Sequence, residues 1–340
     1  MRRTPPIRPP EPVPTTLATC AGLQTRRRQL LATLLWPTSL SASQAFAAGD
    51  ADAPVIEWLQ VGGARLEVQL DPAFGLALRS LLLQWVSRAA TVVVAYFGRF
   101  PLPNLEVLVL AAGPGGVQGG TAFAEPAPYL RLRVSPRTSA AQLRQDWVLV
   151  HEMTHLALPQ LPRQQAWFHE GVATYVEAVA RTRSRLLTPE QLWAGFAAGM
   201  PQGQPGEGDR GLDHTPTWGR TYWGGAMFCL LADVQMRQRS AGRASLQQAL
   251  RGVLAAGGNY TQAWSLAKLL ALADQSVGQH CLVELHASMG ARAVPVALDE
   301  LWRDLGVDVT AAGAVSLRND APLARWRMAI ESIGHSPGAS

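Results

Sequence analysis

The segment His151-Glu152-Met153-Thr154-His155 carries two histidines four residues apart. On an α-helix that spacing is about one turn, so both imidazoles project from one face and can grip a single ion. Glu152 is rotated to the side, where it can reach a water on that ion without ligating it. Zinc has few geometric demands, but a catalytic zinc needs three protein ligands and one open position. A third ligand follows in Trp167-Phe168-His169-Glu170-Gly171-Val172-Ala173-Thr174-Tyr175-Val176-Glu177, where Glu170 stands fifteen residues after His155. The intervening chain suffices for one helix to end, a loop to turn and a second helix to return beside it. The expected chemistry is hydrolysis, with one Zn2+ on His151, His155 and Glu170 and with Glu152 as the general base.

These residues sit in a stretch that reads as helical from residue 139 onward. Ser139-Ala140-Ala141-Gln142 is a capping box, opening a helix expected to run to about Leu158 and to stop at Pro159. A second helix covers roughly 166–184, and Thr188-Pro189-Glu190-Gln191 starts a third. A Gly/Pro-rich loop spans 200–217, and further helices are expected near 219–240, 245–256, 261–274, 279–290 and 297–304. Before residue 137 the pattern differs. Ala64-Arg65-Leu66-Glu67-Val68-Gln69-Leu70 alternates with a period of two, behind a Gly62-Gly63 turn, and 74–97 has helical spacing. Leu105–Leu110 and Tyr129–Val134 read as strands, and Gly113–Gly120 between them as a mobile loop. That loop lacks the Lys-Ser/Thr ending of a phosphate-binding P-loop. The fold class expected is α+β, a small mixed sheet layer followed by a mostly helical half. The parts are 1–47, 48–137, 138–310 and a C-terminal tail 311–340.

With these motifs in view, the chain resembles the gluzincin zinc metallopeptidases, in which H-E-x-x-H is followed by a helix bearing E-G-x-A-x-Y. Here that helix reads Glu170-Gly171-Val172-Ala173-Thr174-Tyr175. The resemblance implies a thermolysin-like catalytic half, zinc on His151, His155 and Glu170, and Glu152 as base. Within the clan the chain is most similar to the glycyl aminopeptidase family. The similarity lies in Tyr222-Trp223-Gly224-Gly225-Ala226 with its leucine-rich helix, in Ser240-Ala241-Gly242-Arg243-Ala244-Ser245-Leu246, and in later helices ending at Leu301–Val307. It covers roughly residues 90–307, with Gly224 in place of that family's Lys and no PDZ-like domain expected after the helices. Through this likeness Tyr222 is the candidate donor to the oxyanion. Strand 129–134 is the expected edge that a peptide substrate would extend. Many gluzincin aminopeptidases hold the substrate amine with a Glu in G-x-M-E-N. The corresponding Gly119-Gly120-Thr121-Ala122-Phe123 has no carboxylate before Glu125, so terminal and internal cleavage are both compatible with the sequence. A catalytically silent peptide-binding scaffold is the second reading.

Of the remaining polar residues, His169 is a candidate for lining the cleft or supporting a ligand. His214 is a candidate lid residue, and Glu177 is placed on a solvated helix face. His280, His286 and His335 are expected to be structural or exposed.

The 340 residues carry a formal charge of +5, with 30 Lys+Arg against 25 Asp+Glu. Residues 1–47 hold six arginines against Glu11 alone, which leaves 24 basic and 24 acidic residues in the rest. With no net positive charge and no basic stripe outside that segment, a nucleic-acid partner is not expected. The segment itself orders Thr25-Arg26-Arg27-Arg28, the apolar Leu30–Trp36 and Ala45-Phe46-Ala47, which is the arrangement of an export signal, similar to the twin-arginine type. The mature protein is expected to begin near Ala48, to be periplasmic or secreted, and to have no transmembrane span. Cys229 and Cys281 are either paired or buried as free thiols.

Overall fold

The computed structural model describes residues 53–332. Residues 1–47, expected to be an export signal, and His335 lie outside the described residues. The first pair of strands, β1 (Val55–Val61) and β2 (Ala64–Leu70), is a hairpin closed by Gly62 and Gly63, with φ of 58° and 83°. A tight two-residue hairpin turn of this kind needs left-handed backbone at both positions, which only glycine adopts without strain. On β2 the residues Ala64, Leu66, Val68 and Leu70 are buried while those between them face outward, as the alternation predicts.

The helix α1 (Leu76–Phe97) then crosses the sheet and ends at Gly98, a left-handed cap with φ 84°. It is long and apolar enough to cross a membrane by length and composition, yet half of that apolar window is buried within this molecule. Leu82, Trp85, Val86, Ala90 and Val93 form that buried face. Strands β3 (Asn104–Ala111), β4 (Val117–Phe123) and β5 (Tyr129–Val134) complete a mixed sheet of order β1-β2-β3-β5-β4.

Two expectations about this region are corrected. The glycine-rich stretch is not a loop throughout, because Gly113 and Gly116 turn the chain and residues from Val117 onward pair antiparallel with β5. Strand 129–134 is therefore not an edge. It lies between β3 and β4, and β4 is the edge strand next to the helical half.

The helical half begins with α2 (Ala140–Gln145), opened by the predicted capping box on Ser139. The single helix expected over 139–158 is two. Asp146 is extended (φ −60°, ψ 138°), and its carboxylate accepts the amides of Val148 and Leu149 at 3.2 Å, so a new helix, α3 (Val148–His155), starts there. The same carboxylate accepts Trp85 Nε1–H at 3.0 Å, which ties that start to α1.

Then follow α4 (Ala166–Arg183), α5 (Pro189–Gly199), a π-helical turn at Arg220–Gly224 running into α6 (Gly225–Arg239), α7 (Leu246–Ala255), α8 (Leu266–Ser276), α9 (Cys281–Met289) and α10 (Leu298–Leu305). After residue 305 the chain is more than a tail. It forms the hairpin β6 (Val307–Val309) and β7 (Val315–Leu317) and the helix α11 (Ala324–Glu331), whose Trp326 and Ile330 are buried. One hydrophobic core runs from the sheet through α1 into the helices, and Cys229 and Cys281 sit in it as free thiols. The architecture is α+β, as the sequence pattern implied.

Candidate metal centre

Helix α3 presents His151 and His155 from one face, both buried, and α4 brings Glu170 to them. Glu170 Oε2 lies 3.1 Å from His151 Nε2 and 3.6 Å from His155 Nε2. Two ligands at roughly 2.0–2.1 Å from one tetrahedral ion stand about 3.3 Å apart. The two measured separations bracket that value, and two imidazoles with one carboxylate are donors zinc takes, so these residues fit a zinc ion.

The close approach of α4 depends on glycine. A Cβ on Gly171 would overlap the backbone of Gly225, and one on Gly225 would overlap the Trp167 carbonyl. Backbone against backbone, α4 and α6 meet at these two residues, directly after Glu170 and directly after the π-turn. That turn carries Tyr222, whose ring stacks on His151 with centroids 6.2 Å apart. Arg220 at the start of the turn is buried in an ion pair with Asp209 at 2.8 Å and donates to Gly203 O at 2.6 Å. The 200–217 loop thereby clamps the turn that positions Tyr222.

Charge at the site follows from burial and neighbours. Burial depresses His155 to about 3, so its imidazole is neutral and offers a lone pair. Burial opposes the Glu170 charge, but His155 and His151 outweigh it and hold this carboxyl at about 2. His151 is moved in the opposite direction to His155. Burial disfavours its charge, while the hydrogen bond it donates to Glu170 and the carboxylates around it raise its pKa overall.

Glu152 is pushed up to about 7, first by burial and then by the like charge of Glu170. His151 and a hydrogen bond from the Ala122 amide of β4 act against that rise. Beneath it, a Cβ on Gly120 would stand 2.7 Å from Glu152 Cγ and 2.9 Å from Leu132 Cδ2. Gly120 of β4 thus makes room for the carboxylate. Tyr222 is raised well above an ordinary tyrosine, first by burial and then by Glu170 and Glu152, so it stays a donor.

His169 supports His155. Its Nε2 lies 2.7 Å from the Pro159 carbonyl, which can only accept, so Nε2 carries the proton. In neutral His169, Nδ1 is then an acceptor, and His155 Nδ1, 3.1 Å away, must donate to it. That choice of tautomer leaves His155 Nε2 as the free lone pair facing Glu170.

The other polar residues lie elsewhere. Glu177 is not on a solvated face but partly buried, 3.2 Å from Arg181, and desolvation raises its pKa. His214 is an exposed residue beside Gln164 at 3.4 Å. His286 and Trp167 both bond Asp213, at 2.8 Å each, fixing the 200–217 loop to α9 and α4. His280 is exposed. Sequence reasoning missed two participants, Asp146 and Tyr260, whose hydroxyl reaches the Ala122 carbonyl, and it reached Gly119–Phe123 through family likeness without seeing that it is an edge strand.

No family model matches the chain. No curated protein matches it either. Solved structures do. An aminopeptidase N family protein from Idiomarina loihiensis superposes with a TM-score of 0.57 at 15% identity, over 76% of this chain and 50% of the other. An M1 zinc metallopeptidase from Deinococcus radiodurans gives a TM-score of 0.48 at 17% identity, over 72% of this chain and 52% of the other. The likeness is one of fold. The chain spans about half the length of the solved structures it matches.

Proposed function

We propose that this protein is a zinc-dependent peptidase of the gluzincin type. The observation that carries the reading is the His151–His155–Glu170 donor set, spaced for one ion, with Glu152 at its side. The fold shared with an aminopeptidase N family protein supports it. The glycyl aminopeptidase-like segments at Tyr222–Ala226 and Ser240–Leu246 belong to the same reading.

A Zn2+ ion held by these three residues supplies a Lewis acid that polarises a scissile carbonyl and acidifies a water. Everything else is done by the chain. Glu152, with a pKa near 7, is poised to accept a proton at its carboxylate and to release it to the leaving amine. The Ala122 amide and the Gly120 floor hold that carboxylate in place. Tyr222, kept protonated, donates its hydroxyl hydrogen bond to the oxygen that gains charge as the carbonyl carbon becomes tetrahedral. The substrate backbone pairs with β4, the strand at the sheet edge beside the site, in place of the 129–134 strand.

The export segment 1–47 fits an enzyme acting in the periplasm or outside the cell. Mass spectrometry of the native protein is expected to find its N-terminus near Ala48. For the activity, the purified protein is expected to hold stoichiometric zinc and to cleave members of a peptide library. Glu152→Gln is expected to keep the metal and lose cleavage by at least a hundredfold, within the range of a missing general base. A protein without zinc, or a Glu152→Gln variant cleaving normally, would sink the proposal.

A further inference from the structure

The face of the sheet that turns away from the core carries two arginines without a partner. Along β5, Leu130, Leu132 and Val134 are buried, while Arg131 and Arg133 between them are exposed. Neither arginine meets a carboxylate in the ladder. On the β3 side they stand beside Leu108 and Leu110, and on the β4 side opposite Thr121 and Gly119. The β4–β5 hairpin holds one carboxylate, Glu125, and it lies in the turn. Among the described residues neither guanidinium makes an ion pair, whereas Arg239 and Arg318 on other surfaces do.

Both side chains lean over β4, toward the sheet edge. Arg131 Cζ lies 4.8 Å from the centroid of the Phe123 ring, which stacks on Tyr129 with centroids 4.6 Å apart, so this guanidinium rests on a pair of rings. Arg133 Nη2 would stand 3.5 Å from a Cβ on Gly119, so it lies across a residue with no side chain to obstruct it. Gly119 has φ 145° and sits at the register shift in the β4–β5 ladder, a kind of irregularity that re-aims side chains at sheet edges. Alternation along β4 puts Gly119, Thr121 and Phe123 on this outer face and Gly120 on the face of Glu152. Strands pair about 4.8 Å apart, so a peptide laid along β4 runs about 10 Å from β5. An arginine lying over β4 covers the near part of that gap, and an acidic side chain on the peptide covers the rest.

We propose that Arg131 and Arg133 are specificity-determining residues that select acidic peptides: a substrate strand paired with β4 presents an Asp or Glu side chain on the outer face, and the two guanidinium groups receive its carboxylate across Thr121 and Gly119. This rests on the peptidase reading and adds to it the substrate class. A guanidinium meets a carboxylate fork to fork, through two charge-assisted hydrogen bonds that a glutamine amide does not reproduce. Gly120, between the two outer-face residues, lies against Glu152, so the acidic residue stands within a few positions of the cleaved bond.

The test uses the zinc-loaded full chain and a set of peptides with free amino termini and amidated carboxyl termini, alike except for a Glu, Gln or Lys scanned along the sequence, with products located by mass spectrometry. Amidation removes the terminal carboxylate, so an acidic preference in this set belongs to the side chain. At a position near the cleaved bond, wild type is expected to favour Glu over Gln by about fivefold in kcat/KM, the scale of a strong exposed ion pair. The preference is expected to shrink in about 1 M salt, where screening is complete within a few ångströms. The double variant Arg131→Glu with Arg133→Glu is expected to reverse it, taking Lys over Glu at the same position. Equal turnover of Glu and Gln peptides by wild type at every position overturns the assignment. So does a double variant of normal zinc content and melting temperature that still favours Glu. The wild-type comparison needs no variant, so a double variant that fails to fold leaves the proposal refutable. No cleavage of any peptide, amidated or free, by zinc-loaded wild type overturns the peptidase reading itself, an outcome distinct from cleavage without acidic preference.

Discussion

A general base must hold a proton for part of each cycle and then give it up, so its surroundings must make both states accessible. Burial alone would leave Glu152 too reluctant to ionise; the Ala122 amide and His151 bring it back, and the balance falls near 7. His169 plays the corresponding part for a ligand, because its proton on Pro159 O dictates which nitrogen of His155 is bare. Replacing His169 by Leu removes the acceptor for His155 Nδ1–H. Zinc affinity is expected to fall about 10–100-fold, measured by competition with a chromophoric chelator, while His169→Asn, whose side-chain oxygen still accepts, recovers part of the loss. His151, Glu152 and His155 were legible in sequence because one helical turn is a local geometry that needs no fold to define it. Glu170 was legible because the loop to it is short. Tyr222 was reached only through family likeness, and Tyr260 not at all, since nothing local marks a tyrosine whose partner lies 138 positions away.

At the scale of elements, the site exists because two pairs of segments approach more closely than side chains ordinarily allow. Gly171 and Gly225 let α4 and α6 touch through backbone, which sets Tyr222 over Glu170; Gly120 lets β4 pass under Glu152. Gly171→Ala is expected to destabilise the fold by about 1–3 kcal/mol, the usual cost of overpacking, and to weaken zinc binding with it, read from denaturant midpoints and metal content. Gly120→Ala is expected to behave differently, with zinc retained and turnover lost, because its methyl displaces the carboxylate of Glu152 and not a ligand. The helices were legible from apolar period and capping boxes, and most of their ends were found within a turn. The break at Asp146 was hidden because its reason is tertiary, a carboxylate shared between two amides and Trp85. Strand β4 was hidden because Gly119 and Gly120 have low strand propensity, and the ladder from β5 overrides it.

For the molecule as a whole, the mixed α+β class could be read from a change of period near residue 137, yet the closing role of the last residues could not. Only Ala324, Trp326 and Ile330 give α11 an apolar side, too few to predict that it packs. What holds it is buried arginine: Arg183 donates to the Ile330 and Ala329 carbonyls, and Arg327 joins Leu305 O to Glu331, which also receives Trp193 Nε1–H. Arg327→Met leaves the Glu331 carboxylate without its cation and is expected to cost about 3 kcal/mol in unfolding free energy.

A zinc ion held as proposed should add a stabilising link elsewhere, between α3 and α4, and would bind only where both helices are in place. A ligand that prefers the folded chain stabilises it by about 2.7 kcal/mol at a free concentration a hundredfold above its dissociation constant. Stripping zinc with a chelator is therefore expected to lower the melting temperature of the wild type by several degrees, and adding zinc back to restore it. Glu152→Gln, which keeps all three ligands, should show the same zinc-dependent shift although it does not turn over. Glu170→Ala should show none, because two histidines on α3 alone no longer tie it to α4. A wild-type melting curve indifferent to zinc would mean that His151, His155 and Glu170, for all their spacing, are joined only by the hydrogen bonds they already make to one another.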